Sequence, residues 1–369
     1  MRVLLVDDDA DRATAVVARD LGAAGWVVGS ASANPSLAAL SRFVARWHRL
    51  PAIDDEDAFV ARLAEVCAEC GYDVVLTTWD SAVDVLSRRR DELGSVAVPL
   101  ASQESVATVL DKIRLAEAAA AVGIDSPRTV EATEDAIAAW GGRAVVKASK
   151  HRPNRIRTRF CADAAEMRAA ASVIRASGAI PLLQEPLEGT LEGVAVVIGR
   201  DGAPVSLSYQ VTEAIWPRPS GVTVRARTLA VEDGPLVETL ALLRNLEWFG
   251  LAQLQFLRVG GSRVLIDLNP RGYGSVALAV AAGARHPLQW ARVAIGLPVG
   301  EEVAVPGKHY QWFTRDLRSE VDRAGLRRGV VSALRLAPSA AHSIWTREDP
   351  LLAGRYVVRR VATRLGRVR

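Results

Sequence analysis

Short aliphatic runs alternate with longer amphipathic stretches through the first 110 residues. "MRVLLVDD" reads as a buried strand ending in acids, and "ADRATAVVARDLGAAG" as a helix closed by glycine. "WVVGSAS" and "YDVVLTTWD" read as two further strands, with "DEDAFVARLAEVCAECG" and "DSAVDVLSRRRDELG" as helices. Strands alternating with helices predict a doubly wound parallel sheet, whose ligands sit at the carboxyl ends of the strands. The first strand–helix unit lacks G-x-G-x-x-G, which disfavours dinucleotide binding.

The pattern changes near Asp111. "DKIRLAEAAAAVG" is a helix, "IDSPRTV" a turn into a strand, and "EDAIAAWGG" a short helix. "RAVVKAS" is a strand, "DAAEMRAAASVIRASG" a helix, and "IPLLQEPLEG" a strand running into a turn. "GVAVVIGRDGAPVSLSYQVTEAI" predicts a hairpin turning at Asp201-Gly202, followed by the helix "PLVETLALLRNLE". "FGLAQLQFLRVGGSRVLIDLNPR" predicts two antiparallel strands turning at Gly260-Gly261, with two helices after Gly274. Residues 301–369 read as less regular.

Composition narrows the function classes. No apolar run approaches the roughly 18 residues of a membrane span, and the N-terminus does not read as a secretion signal, so the expected location is cytoplasmic. Three cysteines suggest no disulfide framework. Cys67 and Cys70 form a C-x-x-C within a helix, where a buried pair is favoured over a redox or zinc site. The formal net charge is +4, yet Pro350 to Arg369 hold six arginines and no acid, so the remainder sums to −2. The basic balance belongs to a tail and not to a nucleic-acid-binding face. That tail has the spacing of a helix able to touch an anionic membrane surface or a partner, or simply to be solvated.

The candidate chemistry lies in "VLIDLNPRGYGSVAL". Side chains two apart on a strand share a face, so Asp267 and Asn269 point together, with Arg271 just beyond. Gln255 lies on the preceding strand. One carboxylate and two amides suit magnesium when a polyphosphate supplies the remaining charge, and Arg271 can fork onto a phosphate or carboxylate. Only four of the 46 basic residues are lysines. Lys147 ends an apolar strand, and Lys112 opens a helix where the pattern changes. Two lysines entering one cleft suit a triphosphate, and the basic loop Lys150 to Arg159 could close over it. A signalling receiver is a weaker alternative: "VLLVDDD" fits its opening, but Asp80 comes late for its phosphorylated aspartate.

Together these motifs resemble the ATP-grasp ligases with their preceding α/β domain, over roughly Met1 to Gly300. The match is to the carbamoyl-phosphate-synthetase-like branch: Gln255-Phe256, then Asp267-Leu268-Asn269-Pro270-Arg271 with aspartate for the family's glutamate. The implied fold class is α/β and α+β: a doubly wound parallel-sheet domain (1–110), then an ATP-grasp domain of two α+β subdomains (111–300, with a lid at about 127–185). A C-terminal extension (301–369) follows. The resemblance implies ATP and Mg2+ (or Mn2+) as cofactors. It places Lys112 and Lys147 at the phosphates or adenine, Gln184, Glu185 and Leu187 at the adenine hinge, and Glu192 on the ribose. Gln255, Asp267 and Asn269 would hold metal, and Asn269 and Arg271 would serve the transferred phosphoryl group. Arg225 and Arg227 fall where the family presents basic groups to the acid substrate, and Trp216, Trp312 and Trp345 could line an apolar pocket, although tryptophans more often simply pack.

The function so implied is ATP-dependent ligation of a small-molecule carboxylate to an amine through an acyl-phosphate. The expected partners are those small molecules and not nucleic acid, and a homodimer is compatible. The alternative is a nucleotide-binding regulatory protein with a degenerate site. Two departures from the family support it: a basic loop where a glycine-rich one is usual, and the shorter Asp267.

Overall fold

The computed structural model describes residues 1–8, 12–149 and 158–364. Its first layer is a parallel sheet of Arg2–Val6, Val27–Ser32, Val44–Arg49 and Val74–Thr77, in the spatial order third, second, first, fourth. The expected strands are present, and Val44–Arg49 is an addition. Its exposed edge carries "VARWHR", with no continuous apolar face to reveal it. Helices Arg12–Ala23, Glu56–Cys70 and Asp80–Arg89 pack on this sheet. Asp55 caps the second of them, and Gly71 closes it in the left-handed conformation at φ 62°. Cys67 and Cys70 lie in that helix as free thiols, and burial pushes Cys67 up to about 12.

A small antiparallel sheet follows, ordered Thr129–Glu131, Pro181–Gln184, Ala144–Ala148 and Arg159–Cys161. Helices Glu134–Trp140 and Ala164–Ala176 cover it, and it has its own core around Ile137, Met167, Ile174 and Leu183. The basic loop expected to close over phosphates lies, from Lys150 to Arg157, outside the described residues.

The large sheet runs Ser262–Asn269, Gly250–Val259, Thr190–Ile198, Pro204–Trp216, Val222–Leu229, His309–Gln311 and Ala340–Ala341. It shares one continuous core with the N-terminal layer. Both expected hairpins are present. Gly260 and Gly261 make the second turn at φ 55° and 98°, a backbone that side chains rarely adopt.

Residues beyond 300 do not stand apart as an irregular extension. His309–Gln311 pairs with Arg225 to Arg227, and helices Phe313–Ala324 and Leu326–Leu336 pack beside that edge. The closing helix Pro350–Arg364 returns to the N-terminal layer, where Arg355 donates to the Leu40 carbonyl at 2.9 Å. Among the described residues, no helix is long and apolar enough to cross a membrane.

Candidate functional site

A cleft of about 890 Å³ opens where the hairpin, the small sheet and the strand ends of the first layer meet. The hairpin supplies its floor. Gln255 pairs in register with Asp267, and Gln253 with Asn269. A bulge at this point leaves Ile266 as the extra residue and keeps both pairs on the cleft face. Asn269 donates to the Gln253 side-chain oxygen at 2.7 Å and accepts from Arg271 at 3.0 Å. Sequence reasoning missed Gln253, although it sits two residues before Gln255 and so shares its face.

Lysine placement completes the polar floor. Asp111 caps helix Lys112–Ala120 through the Ile113 and Arg114 amides, which sets Lys112 at the first turn facing the hairpin. Its ammonium bonds the Asp267 carboxylate, with only 8% and 19% of the two side chains exposed. Lys147 enters from strand Ala144–Ala148. Burial, and then the Lys112 charge, pull its amine down to about 8, while Asp267 opposes them. The two lysines and one carboxylate thus form a net cationic cluster in a partly dry cleft.

Asp80, at the start of helix Asp80–Arg89, holds Arg271 in a two-pronged pair at 2.5 and 2.8 Å. The Gly272 amide reaches the Thr77 carbonyl at 3.3 Å, so the loop after the hairpin docks on a strand end of the first layer. From sequence, Asp80 stands out only as a candidate phosphorylation site. Its pairing with Arg271, 191 residues away, left no local signal.

Across the cleft lie Gln184, Glu185, Leu187 and Glu188. The Glu185 amide donates to the Arg128 carbonyl at 2.9 Å, and the Gln184 side chain donates to Thr129 at 2.9 Å.

Two expectations fail on geometry, and the tryptophans pack. Glu192 is not in the cleft: Leu191 and Gly189 line it, and Glu192 points through the other face of the sheet. There its fully buried carboxylate pairs with Arg258 and Arg263, each at 2.9 Å. Arg225 is bound to the buried Asp316 at 2.7 and 3.0 Å, and Arg227 pairs with Glu213 at 3.2 Å, so neither is a cleft cation. The three tryptophans lie outside the lining. Trp216 and Trp312 are platforms for arginines, and Trp345 packs edge-on against Tyr356.

Among the described residues, no group of three or more His, Cys, Asp or Glu side chains gathers as a metal site. The hairpin offers a different donor set: one carboxylate with amide oxygens in register beside it, all hard ligands. That set fits a magnesium ion carried in on nucleotide phosphates and does not make a self-standing cation site.

No protein-family model matches the chain, and no curated protein matches its sequence. Solved structures do match its fold. An L-amino acid ligase from Bacillus licheniformis superposes with a TM-score of 0.63 at 15% identity, over 80% of this chain and 74% of that one. N5-carboxyaminoimidazole ribonucleotide synthetase from Thermus thermophilus gives 0.62 at 17% identity, over 83% and 81%. The biotin carboxylase domain of the 2-oxoglutarate carboxylase from Hydrogenobacter thermophilus, solved with MgADP, ADP and bicarbonate, gives 0.65 at 12%, over 83% and 73%. The chain has the fold these enzymes share, the ATP-grasp fold: a parallel α/β layer followed by mixed α+β layers.

Proposed function

We propose that the protein is an ATP-dependent ligase that activates a carboxylate as an acyl-phosphate for attack by an amine. The observation that carries this reading is the convergence on one cleft of Lys112, Asp267, Gln255 and Asn269 from the hairpin side and Lys147 from the small sheet, where its strand neighbours the one that ends at Gln184. Such a cluster neutralises a triphosphate, and the strand end beside the Lys147 strand offers backbone groups to a base. Glu188 lines the cleft where Glu192 does not, and in this reading it would meet the ribose hydroxyls.

Asp267, Asn269 and Gln255 would hold magnesium, which when bound would neutralise phosphate charge. Lys147 and Lys112 steady the phosphates as charge shifts toward the leaving ADP. Arg271, oriented by Asp80, faces the acyl-phosphate that forms. The amine then attacks the acyl carbon, phosphate departs, and an amide bond remains. The protein's part is mainly positioning and charge stabilisation.

The test is thermal unfolding with and without Mg-ATP, on the wild type and Lys147→Ala. Nucleotide at a hundred times its Kd stabilises by about 2.7 kcal/mol. A rise that needs magnesium and is lost in the variant supports the site, and no rise at millimolar Mg-ATP sinks the reading. One observation favours a second reading, a nucleotide-binding regulator without turnover. The hairpin holds a single carboxylate, already engaged by Lys112. ADP release with an acid and an amine present separates the two.

A further inference from the structure

Arg271, which lines the cleft, is neutralised by Asp80. Arg12 is different. It starts helix Arg12–Ala23 at the carboxyl end of the first strand and lines the same cleft. Among the described residues it pairs with no carboxylate, and its partners are neutral. Its guanidinium carbon lies 3.9 Å from the centre of the Trp312 ring, and its Nε donates to the Tyr310 hydroxyl at 2.9 Å. Tyr310 is fully buried and donates in turn to the Gly274 carbonyl at 3.1 Å. Gly274 makes room for this arrangement, because a Cβ there would fall 2.4 Å from Arg12 Nη2.

An aromatic seat and an anchored Nε fix the plane of a guanidinium that lines the cleft, with Nη2 beside Gly274, which lines it too and puts no side chain in the way. That is a pre-organised fork for a planar anion, and a single fork matches a carboxylate. Gly274 comes three residues after Arg271, so the fork lies on the Arg271 side of the cleft, away from the hinge strand.

We infer that Arg12 binds a substrate carboxylate that the reaction does not consume, so that one substrate is an amino acid or a dicarboxylic acid. This rests on the ligase reading for the word substrate, but the binding itself can be read without turnover. Arg12 is here a specificity-determining residue, and Tyr310 and Trp312 are its positioning residues.

The experiment titrates the wild type, Arg12→Gln, Arg12→Lys and Tyr310→Phe with the proteinogenic L-amino acids, their carboxamides and a series of dicarboxylic acids. Thermal unfolding is followed with and without magnesium and a non-hydrolysable ATP analogue. The expected result is that at least one free acid stabilises the wild type and its amide does not. Arg12→Gln should weaken that response about tenfold or more, with Arg12→Lys and Tyr310→Phe in between. The analogue's own stabilisation should persist in all four proteins. Whether amino acids or dicarboxylates respond identifies the class. Equal responses to acids and amides, no response to any acid, or an undiminished response in Arg12→Gln would each overturn the inference. Loss of the analogue's effect in the wild type would instead overturn the nucleotide site. Should Arg12→Gln fail to fold, the acid-against-amide comparison on the wild type and Tyr310→Phe decides.

Discussion

Lys147 carries the most testable chemistry of any single residue. Its value falls from the ordinary 10.5 to about 8. Between those pH values the unfolded chain binds more protons than the folded one. Stability therefore rises with pH across that window, and below pH 8 the buried ammonium costs stability. A polyphosphate arriving beside the amine pushes its value back up, so nucleotide binding near pH 8 draws in protons. Calorimetry at pH 8 in two buffers of different ionisation heat should give different apparent heats for the wild type and the same heat for Lys147→Met. Equal heats for both proteins would show that no nucleotide phosphate meets this amine. Lys147 and Asp267 were legible because lysine is scarce and Asp-x-Asn shares a strand face. Gln253 follows from the same alternation. Arg12 was not legible, because its seat comes from Tyr310 and Trp312, some 300 residues away.

Among the elements, strands decided which acids reach the cleft. "EPLEGTLEG" holds three glutamates, and nothing local sets the register of the strand that begins inside it. Once Thr190–Ile198 pairs with Gly250–Val259, Gly193 opposes Gln255 on the cleft side and Glu192 goes to the other face. Glu192→Gln should therefore keep the Mg-ATP response intact while lowering stability by about 1–3 kcal/mol, because two arginines lose a charged partner. A large loss of nucleotide affinity with unchanged stability would return Glu192 to the ribose. Helix Phe313–Ala324 escaped notice for a related reason. The residues it buries fully are Asp316, Ser319 and Glu320, sealed by Arg225, Gln311 and Ser332, while its apolar stripe of Phe313, Leu317 and Val321 is only partly buried. Hydrogen bonds from Arg323 and Ser332, with the charge of Arg225, hold Glu320 down at about 2 against its burial. A polar buried face reads as surface until its partners are known.

At the scale of the whole molecule, the chain closes on itself. The large sheet takes its last strands from beyond residue 300, and the segment after them crosses back to the N-terminal layer. Arg19 donates to the His342 and Ser343 carbonyls, each at 3.2 Å, and pairs with Glu348 at 3.2 Å. The buried Asp349 accepts from the Ser41 hydroxyl and from the Arg42 amide at 3.3 Å. Leu352 and Ile344 fill an apolar pocket with Ala15 and Leu37, at the helix that begins with Arg12. Leu352 is fully buried, so Leu352→Ala should cost about 2–5 kcal/mol. The distribution of that loss matters more than its size. If the C-terminal segment is part of the cooperative unit, amides in strands Arg2–Val6 and Gly250–Val259 lose protection together in hydrogen exchange. If it is an appendage, only the closing helix and its contacts loosen and both strands keep their protection. Tyr310 belongs to the core that the two layers share and Trp312 packs against it, which favours the first outcome and with it one frame for Arg12, Tyr310 and Trp312. A loss of protection confined to residues after 340 would show that the substrate end of the cleft is held by the two sheets alone.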